Sequence, residues 1–195
     1  RAGGGDPLVQ RRVDRGQLSQ GARVLNLYGY TGGFSVSAAL GGAVHVTTVD
    51  IAPDVVKLTA DTFAANGLDT QQHTAITSDV PDYLDGLPAS ADYDIIICDP
   101  PSFAPSERAL PAALESYRGL HERCMRRVVR GGLYLAASCS SHVDREAFEE
   151  TLREAARKTR RVVQVLERSG APADHPRLLA FPEFDYLKVV LCRIL

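Results

Sequence analysis

The stretch from Arg23 to Asp50, with VLNLYGYTGGFSVSAALGGAVHVTTVD after the arginine, constrains the fold more than any other part of the chain. Val24 to Leu27 is a short apolar run suited to a buried parallel strand, and Tyr28 to Gly33 follows as an uncharged, glycine-containing loop. An amphipathic segment from Phe34 to Leu40 comes next, Gly41-Gly42 stops it, and Val44 to Val49 forms a second apolar run ending on Asp50. This strand, loop, helix, strand order, with an acid roughly 20 residues past the glycines, suits a nucleoside-bearing cofactor bound at the carboxyl ends of parallel strands. Gly32 and Gly33 would let backbone N–H groups approach an anionic group at a helix N-terminus, and Asp50 would accept both hydroxyls of a ribose. The competing reading is an ordinary turn of an α/β protein.

The strict G-x-G-x-x-G dinucleotide pattern is missing, because Tyr28 and Tyr30 hold its first two glycine positions. A pyrophosphate needs a bare backbone cradle, whereas the methionine carboxylate of S-adenosylmethionine needs much less. A methyl donor is therefore favoured over a nicotinamide.

Later segments extend the alternation. Pro53 to Gly67 carries Val55, Val56, Leu58, Thr59 and Phe63 at helical spacing, and His73 to Ser78 is the expected third strand. Asp79 has two readings, a hydrogen bond to an adenine amine or a helix cap for Pro81 to Leu87. Asp94 to Cys98 is the expected fourth strand and runs into Asp99-Pro100-Pro101-Ser102-Phe103. Two prolines extend neither strand nor helix, so Asp99 is fixed at the strand's carboxyl end, where open α/β sheets place their sites. Glu115 to Val129 is expected as a helix stopped by Arg130-Gly131-Gly132, and Leu133 to Ala137 as the fifth strand, closed by Ser138-Cys139-Ser140-Ser141-His142. Asp144 to Arg157, Arg161 to Glu167, a loop with Pro172, Pro176 and Pro182, and a last strand from Tyr186 to Leu195 complete the chain. The final pair of strands fits an antiparallel hairpin at one sheet edge.

Composition closes off several classes. With 195 residues, of which 45% are hydrophobic and 24% charged, the chain suits one globular domain from 23 to 195, preceded by a partial lead-in over 1–22. A formal charge of −2 gives no global basic field. Basic residues do cluster at Arg123, Arg126, Arg127 and Arg130, and at Arg153, Arg157, Lys158, Arg160 and Arg161, a pattern that solvated helix faces also produce. No apolar run approaches the ~20 residues that cross a bilayer, so no membrane partner and a cytoplasmic location are expected. Cys98, Cys124, Cys139 and Cys192 lack paired metal-ligand spacing, so no metal and reduced thiols are expected.

Taken together, VLNLYGYTGGFSVSAALGG, DPPSFA, SCSSHV and ADHPRLLAFPEFDYLK resemble the bacterial large-subunit ribosomal RNA methyltransferase I family, the cytosine carbon-5 methyltransferases. The resemblance implies a class I methyltransferase fold of the α/β class: a seven-stranded, mostly parallel Rossmann-like sheet with helices on both faces and an antiparallel last strand. It implies S-adenosylmethionine as cofactor, S-adenosylhomocysteine as product and ribosomal RNA as substrate. Cofactor contacts carry over to Tyr28, Gly29, Tyr30, Thr31, Gly32, Gly33, Asp50 with Ile51, Asp79 with Val80, and Asp99. The nucleophile carries over to Cys139, and pyrimidine contacts to Pro100, Pro101, Ser102 and Phe103. Three features depart from the family: Ser102 stands where Lys or Ala is common, His121 where Asn is frequent, and no RNA-binding PUA domain is recognisable before Leu18.

Carbon 5 of cytosine is a poor nucleophile until a thiolate adds at carbon 6, so this chemistry calls for a cysteine. Cys98 and Cys192 lie inside apolar runs and Cys124 on a helix, while Cys139 alone ends a strand among hydroxyls; its competing role is a small buried filler. A thiol of pKa ~8.5 is a few per cent ionised at pH 7, and lowering it to ~7 makes half of it reactive. His142 is a candidate for that shift. Asp99, if burial raises its pKa, could donate to the pyrimidine ring nitrogen. The rival functions are an amine or guanine methyltransferase and a non-catalytic module that binds the same cofactor.

Overall fold

The computed structural model describes residues 18–171 and 186–195. Residues 1–17 and the segment 172–185, with Pro172, Pro176, Pro182 and most of the ADHP-containing run, lie outside the described residues. The chain divides into two compact units, one running through Asp99 and the other from Pro100.

The first unit alternates strands and helices: β1 (Arg23–Leu27), α1 (Gly33–Leu40), β2 (His45–Asp50), α2 (Pro53–Ala65), β3 (His73–Thr77), α3 (Val80–Gly86) and β4 (Tyr93–Cys98). β1 pairs in parallel with β2 on one side and β4 on the other, and β3 adds in parallel to β2. A strand flanked on both sides in a parallel sheet is covered on both faces, which is why every residue of Val24 to Leu27 and Ile95 to Cys98 is buried and all are apolar but Asn26, whose amide donates to the Ser35 hydroxyl at 2.8 Å. α2 starts as a helix should, with Pro53 in its first turn and Asp54 beside it, and it buries Thr59 and Phe63.

The second unit contains α4 (Leu110–Arg127), β5 (Val128–Ser138), α5 (Arg145–Thr159), β6 (Val163–Ser169) and β7 (Lys188–Ile194). β7 lies between β5 and β6 and runs antiparallel to both. The expected terminal hairpin is therefore present, and the seven strands follow the order 3-2-1-4-5-7-6. Asp144 caps α5 by accepting from the Ala147 N–H at 2.7 Å.

Two expectations about α4 need correction. The helix begins at Leu110, ahead of Glu115, because Pro111 occupies its first turn, where a missing N–H costs nothing. It ends at Arg127: the β-branched Val128 is already extended (φ −83°, ψ 131°), so Arg130-Gly131-Gly132 lies inside β5 and does not stop the helix.

Candidate active site

The loop between β1 and α1 is built mainly from its own backbone. Tyr28 and Tyr30 adopt left-handed conformations (φ 59° and 45°). These are the two positions where a glycine pattern would have placed glycines, and each tyrosine costs on the order of 1–2 kcal/mol there. Strain of that size persists where the surroundings over-determine a functional loop. Gly29 is required by packing, since a Cβ there would lie 2.2 Å from Thr48 Cγ2. Gly32 combines φ +80° with a Cβ position 2.5 Å from Thr59 Cγ2.

The hydrogen bonds correct the expected role of Gly32. Its N–H donates to the Gly29 carbonyl at 2.9 Å, closing the turn, and is not offered to a ligand. The donors that remain at this end belong to the first turn of α1, beginning at the exposed Gly33, where no side chain caps the helix. Asp50, at the end of β2, accepts the Tyr30 N–H on one carboxylate oxygen and the Ala52 N–H on the other, both at 3.0 Å. Each oxygen keeps a further lone pair, so the carboxylate is oriented by the loop and still able to accept ribose hydroxyls. An uncapped, positively polarised helix end and an oriented acid at adjacent strand ends fit an amino-acid carboxylate and a ribose.

The remaining predicted cofactor residues divide. Ile51 is 67% exposed beside Asp50, as a hydrophobic wall for a planar base would be. Thr31 is half-buried. Asp79 caps α3 by accepting the Asp82 N–H at 3.3 Å, the cap reading realised in geometry, and it remains exposed. The Val80 side chain, at 1% exposure, lies in the core, because the first helical residue after the cap turns inward.

Asp99 ends β4. Burial pushes its carboxyl up to about 6 from the ordinary 3.8, since a low-dielectric setting penalises the charged form. In the second unit, the segment that opens with Pro100 meets the turn after β5. Cys139 Sγ lies 3.8 Å from the Pro100 carbonyl oxygen and donates to it. Of the four cysteines, Cys98, Cys124 and Cys192 are fully buried and Cys139 alone is partly exposed.

Ser140 holds these two segments together. Its Oγ accepts from the Phe103 N–H at 3.1 Å, the Ala104 N–H at 3.3 Å and the Ser102 hydroxyl at 3.1 Å, and it pairs with the Tyr117 hydroxyl at 2.9 Å. Ser138, on the other side of Cys139, donates to the same Tyr117 hydroxyl at 2.9 Å. The Cys139 sulfur thus sits between two serines tied to one buried tyrosine. Ser102, the departure from the family, is one of the anchors. The expected pyrimidine contacts are revised accordingly: Pro100 is buried, Phe103 is half-buried with its ring packed on Tyr117 at 4.8 Å, and Pro101 and Ser102 are exposed.

Neither Tyr117 nor Lys188 stood out in the sequence. Tyr117 falls on the apolar face of α4 with Ala113, Leu120 and Cys124, so its spacing resembles plain core. Lys188 is a single cation at the head of an apolar strand, and in the structure it is 3% exposed. His142 is exposed. His121 is buried among Tyr117, Tyr134 and Phe148, its Nδ1 paired with the Tyr134 hydroxyl at 2.7 Å, and burial pushes it down to about 3.

Part of each basic cluster is paired with acids in place. Arg126 and Lys158 share Glu122, Arg118 bridges Glu115 and Glu154, and Arg153 and Arg157 share Glu150. Exposed pairs of this kind add little stability, about 0–1 kcal/mol each, but they cancel the local field. Among the described residues, no helix is long and apolar enough to cross a membrane, and no group of three or more His, Cys, Asp or Glu is arranged to hold a metal ion.

A parallel βα sheet with an oriented acid past β2 and a backbone-built loop past β1 defines a nucleoside-cofactor-binding α/β domain. Comparison with known proteins narrows it. The model of the S-adenosylmethionine-dependent methyltransferase family matches residues 6–189, and the chain belongs to that family. It is 39% identical to a ribosomal RNA large subunit methyltransferase from Deinococcus radiodurans, over 95% of this chain and 45% of that protein. It is 36% identical to ribosomal RNA large subunit methyltransferase I of Photobacterium profundum, over 89% of this chain and 44% of that protein. A crystal structure of a putative methyltransferase complexed with S-adenosylhomocysteine superposes with a TM-score of 0.84 at 30% identity, covering 95% of this chain and 48% of that one. The chain therefore spans somewhat less than half the length of these relatives.

Proposed function

We propose that this chain is the methyl-transferring part of a ribosomal RNA methyltransferase and that it modifies carbon 5 of a cytosine through a covalent Cys139 adduct. The names of the Deinococcus and Photobacterium relatives support large-subunit ribosomal RNA as the substrate. The cytosine chemistry rests on one observation: Cys139 is the half-exposed thiol among four, at the carboxyl end of β5, with a hydroxyl-tethered residue on either side.

The cofactor, S-adenosylmethionine, supplies an electrophilic methyl group when bound. The first turn of α1 and the loop from Tyr28 to Gly33 would receive its methionine carboxylate, Asp50 its ribose, and Ile51 with Asp79 its adenine. Cys139, as thiolate, adds to carbon 6 of the pyrimidine, and the electron pair released onto carbon 5 makes that atom nucleophilic enough to take the methyl group. A base then removes the carbon-5 proton. The C–H electrons restore the 5,6 double bond and expel the thiolate, so the enzyme ends as it began. Asp99, with its carboxyl raised to about 6, retains a proton into the mildly acidic range and can donate to the ring nitrogen as negative charge develops there.

The test is transfer of tritiated methyl groups to unmodified large-subunit ribosomal RNA. Cys139→Ala is expected to lower turnover by roughly 10⁴-fold or more, as loss of a covalent nucleophile does, with S-adenosylhomocysteine binding retained. Asp99→Asn is expected to bind the cofactor normally and lose most turnover. Activity that survives Cys139→Ala would move the assignment to methylation of an exocyclic amine, which needs no thiol.

A further inference from the structure

The near-neutral total charge conceals an uneven distribution. The first unit, 1–99, carries six Lys and Arg against 12 Asp and Glu, and the second, 100–195, carries 16 against 12. Four arginines of the second unit gather at one end of its strands, where the start of β5, the turn from α5 into β6 and the end of β7 meet. The Arg161 guanidinium donates to the Val128 carbonyl at 3.1 Å, the Leu195 N–H donates to the Val162 carbonyl at 2.8 Å, and Gln164 pairs in register with Arg193. These contacts bring Arg130, Arg160, Arg161 and Arg193 to the ends of three neighbouring strands, which together are about 10 Å across.

Arg130, Arg160 and Arg193 are exposed and Arg161 is half-buried. Among the described residues none of the four has an acidic partner, whereas Arg153, Arg157 and Arg168 are all paired with Glu149 or Glu150. No Asp or Glu occurs within 128–138, 159–166 or 188–195. The main chain beside Arg130 is bare as well, since a Cβ at Gly131 would meet nothing within 4 Å. A cluster of like charges is destabilising by itself, and a polyanion relieves it.

We propose that this end of the second unit is a docking surface for the phosphate backbone of the RNA substrate, remote from the methylated base. It rests on the reading of ribosomal RNA as substrate and is independent of the chemistry at Cys139. β5 runs from this surface at Val128 to Ser138, the residue before Cys139, and its 11 residues extend about 30 Å. RNA held here therefore reaches well beyond the target nucleotide, and its contacts fix where the enzyme sits on a folded RNA without reading sequence. Arginine suits that task, because its planar fork meets two phosphate oxygens at once.

The experiment compares two triple variants of the whole chain that remove the same charge. Arg130→Gln with Arg160→Gln and Arg193→Gln strips the surface and leaves Arg161 to hold Val128. Arg153→Gln with Arg157→Gln and Arg168→Gln removes arginines that are already paired. Binding to unmodified large-subunit ribosomal RNA is titrated over a range of salt. The surface variant is expected to bind about 10–100-fold more weakly near ~0.15 M salt, with a log–log salt slope shallower by about 2–3. Its KM for RNA should rise while kcat at saturating RNA and S-adenosylhomocysteine affinity stay within about twofold, and the paired variant should keep the parent slope. In the parent, bound RNA should protect Arg130, Arg160 and Arg193 from phenylglyoxal. A surface variant with the parent's RNA affinity and slope, an equal loss in both variants, or arginines as reactive with RNA as without it, overturns the proposal. If the surface variant loses cofactor binding, the protection measurement on the parent decides. A parent that methylates the RNA, with a surface variant that binds it equally well, sinks this surface alone; a parent that neither binds nor methylates ribosomal RNA sinks the substrate reading itself.

Discussion

The two loops proposed to carry the chemistry are built by opposite means. The loop after β1 holds its shape through its own main chain: the Gly29 and Gly32 turn, two tyrosines in left-handed conformations, and backbone N–H groups that aim the Asp50 carboxylate. The turn after β5 holds its shape through side chains from distant points in sequence, with Ser102, Tyr117, Ser138, Ser140 and Lys188 converging around Cys139. Main-chain recognition suits a cofactor whose carboxylate and ribose are invariant. A side-chain scaffold suits a nucleophile, whose sulfur needs a single fixed position and a tuned charge. The first arrangement depends on main-chain conformation, and the second on several side chains at once.

After the loss of turnover expected for Cys139→Ala, the largest effect falls at Asp99, the last residue of the first unit. Its folded-state pKa, about 6 against an ordinary 3.8, lies above the unfolded value. The stability this contributes is therefore fully present below the unfolded value and is lost as pH rises through the folded one. Asp99→Asn should flatten that part of the pH–stability curve and leave the variant about 1–3 kcal/mol more stable than the parent at pH 8. Denaturant melts at pH 4, 6 and 8 measure it, and a parent protein whose stability does not fall across that range contradicts the buried-acid picture.

The cradle is tested next by Asp50→Ala. Losing two hydrogen bonds from a charged acceptor should weaken S-adenosylhomocysteine binding by about 10–100-fold, seen by calorimetry, while Cys139 alkylates at the parent rate. A variant that loses both properties would show that the loops are not separately built. Ser140→Ala is the complementary change. It strips the acceptor from the Phe103 and Ala104 N–H groups and should cost about 1–3 kcal/mol, with cofactor affinity within twofold of the parent. A melting temperature unchanged by Ser140→Ala would mean that water replaces the hydroxyl and the side-chain scaffold is not what holds the turn.

This difference in construction also decides what could be read in the sequence. The first loop is contiguous: strand, glycines, helix and acid lie within 28 residues, Arg23 to Asp50, so their spacing carries the site, and the strand and helix bounds fall within a residue or two of those observed. The role of Gly32 was misread because a glycine's freedom does not say where its N–H points. The burial of the Val80 side chain is not legible in the sequence, because a residue next to a cap on the surface can be the first to turn inward. Around Cys139 the sequence shows the sulfur and its flanking serines and little else. Tyr117 has the periodicity of core, Lys188 is one cation in an apolar strand, and only folding brings them to the same turn. The α4 boundaries failed for a local reason, since Pro111 and the Val128-Val129 pair set them before the glycines could.

The central claim is a covalent bond between Cys139 and carbon 6 of a target cytosine, and it can be caught directly. An RNA substrate carrying 5-fluorocytosine at the target has no carbon-5 proton to lose, so the adduct cannot collapse after methyl transfer. The account predicts an SDS-stable protein–RNA complex that needs S-adenosylmethionine and disappears in Cys139→Ser. Methylated product without any such complex, or a complex that persists in Cys139→Ser, would contradict it.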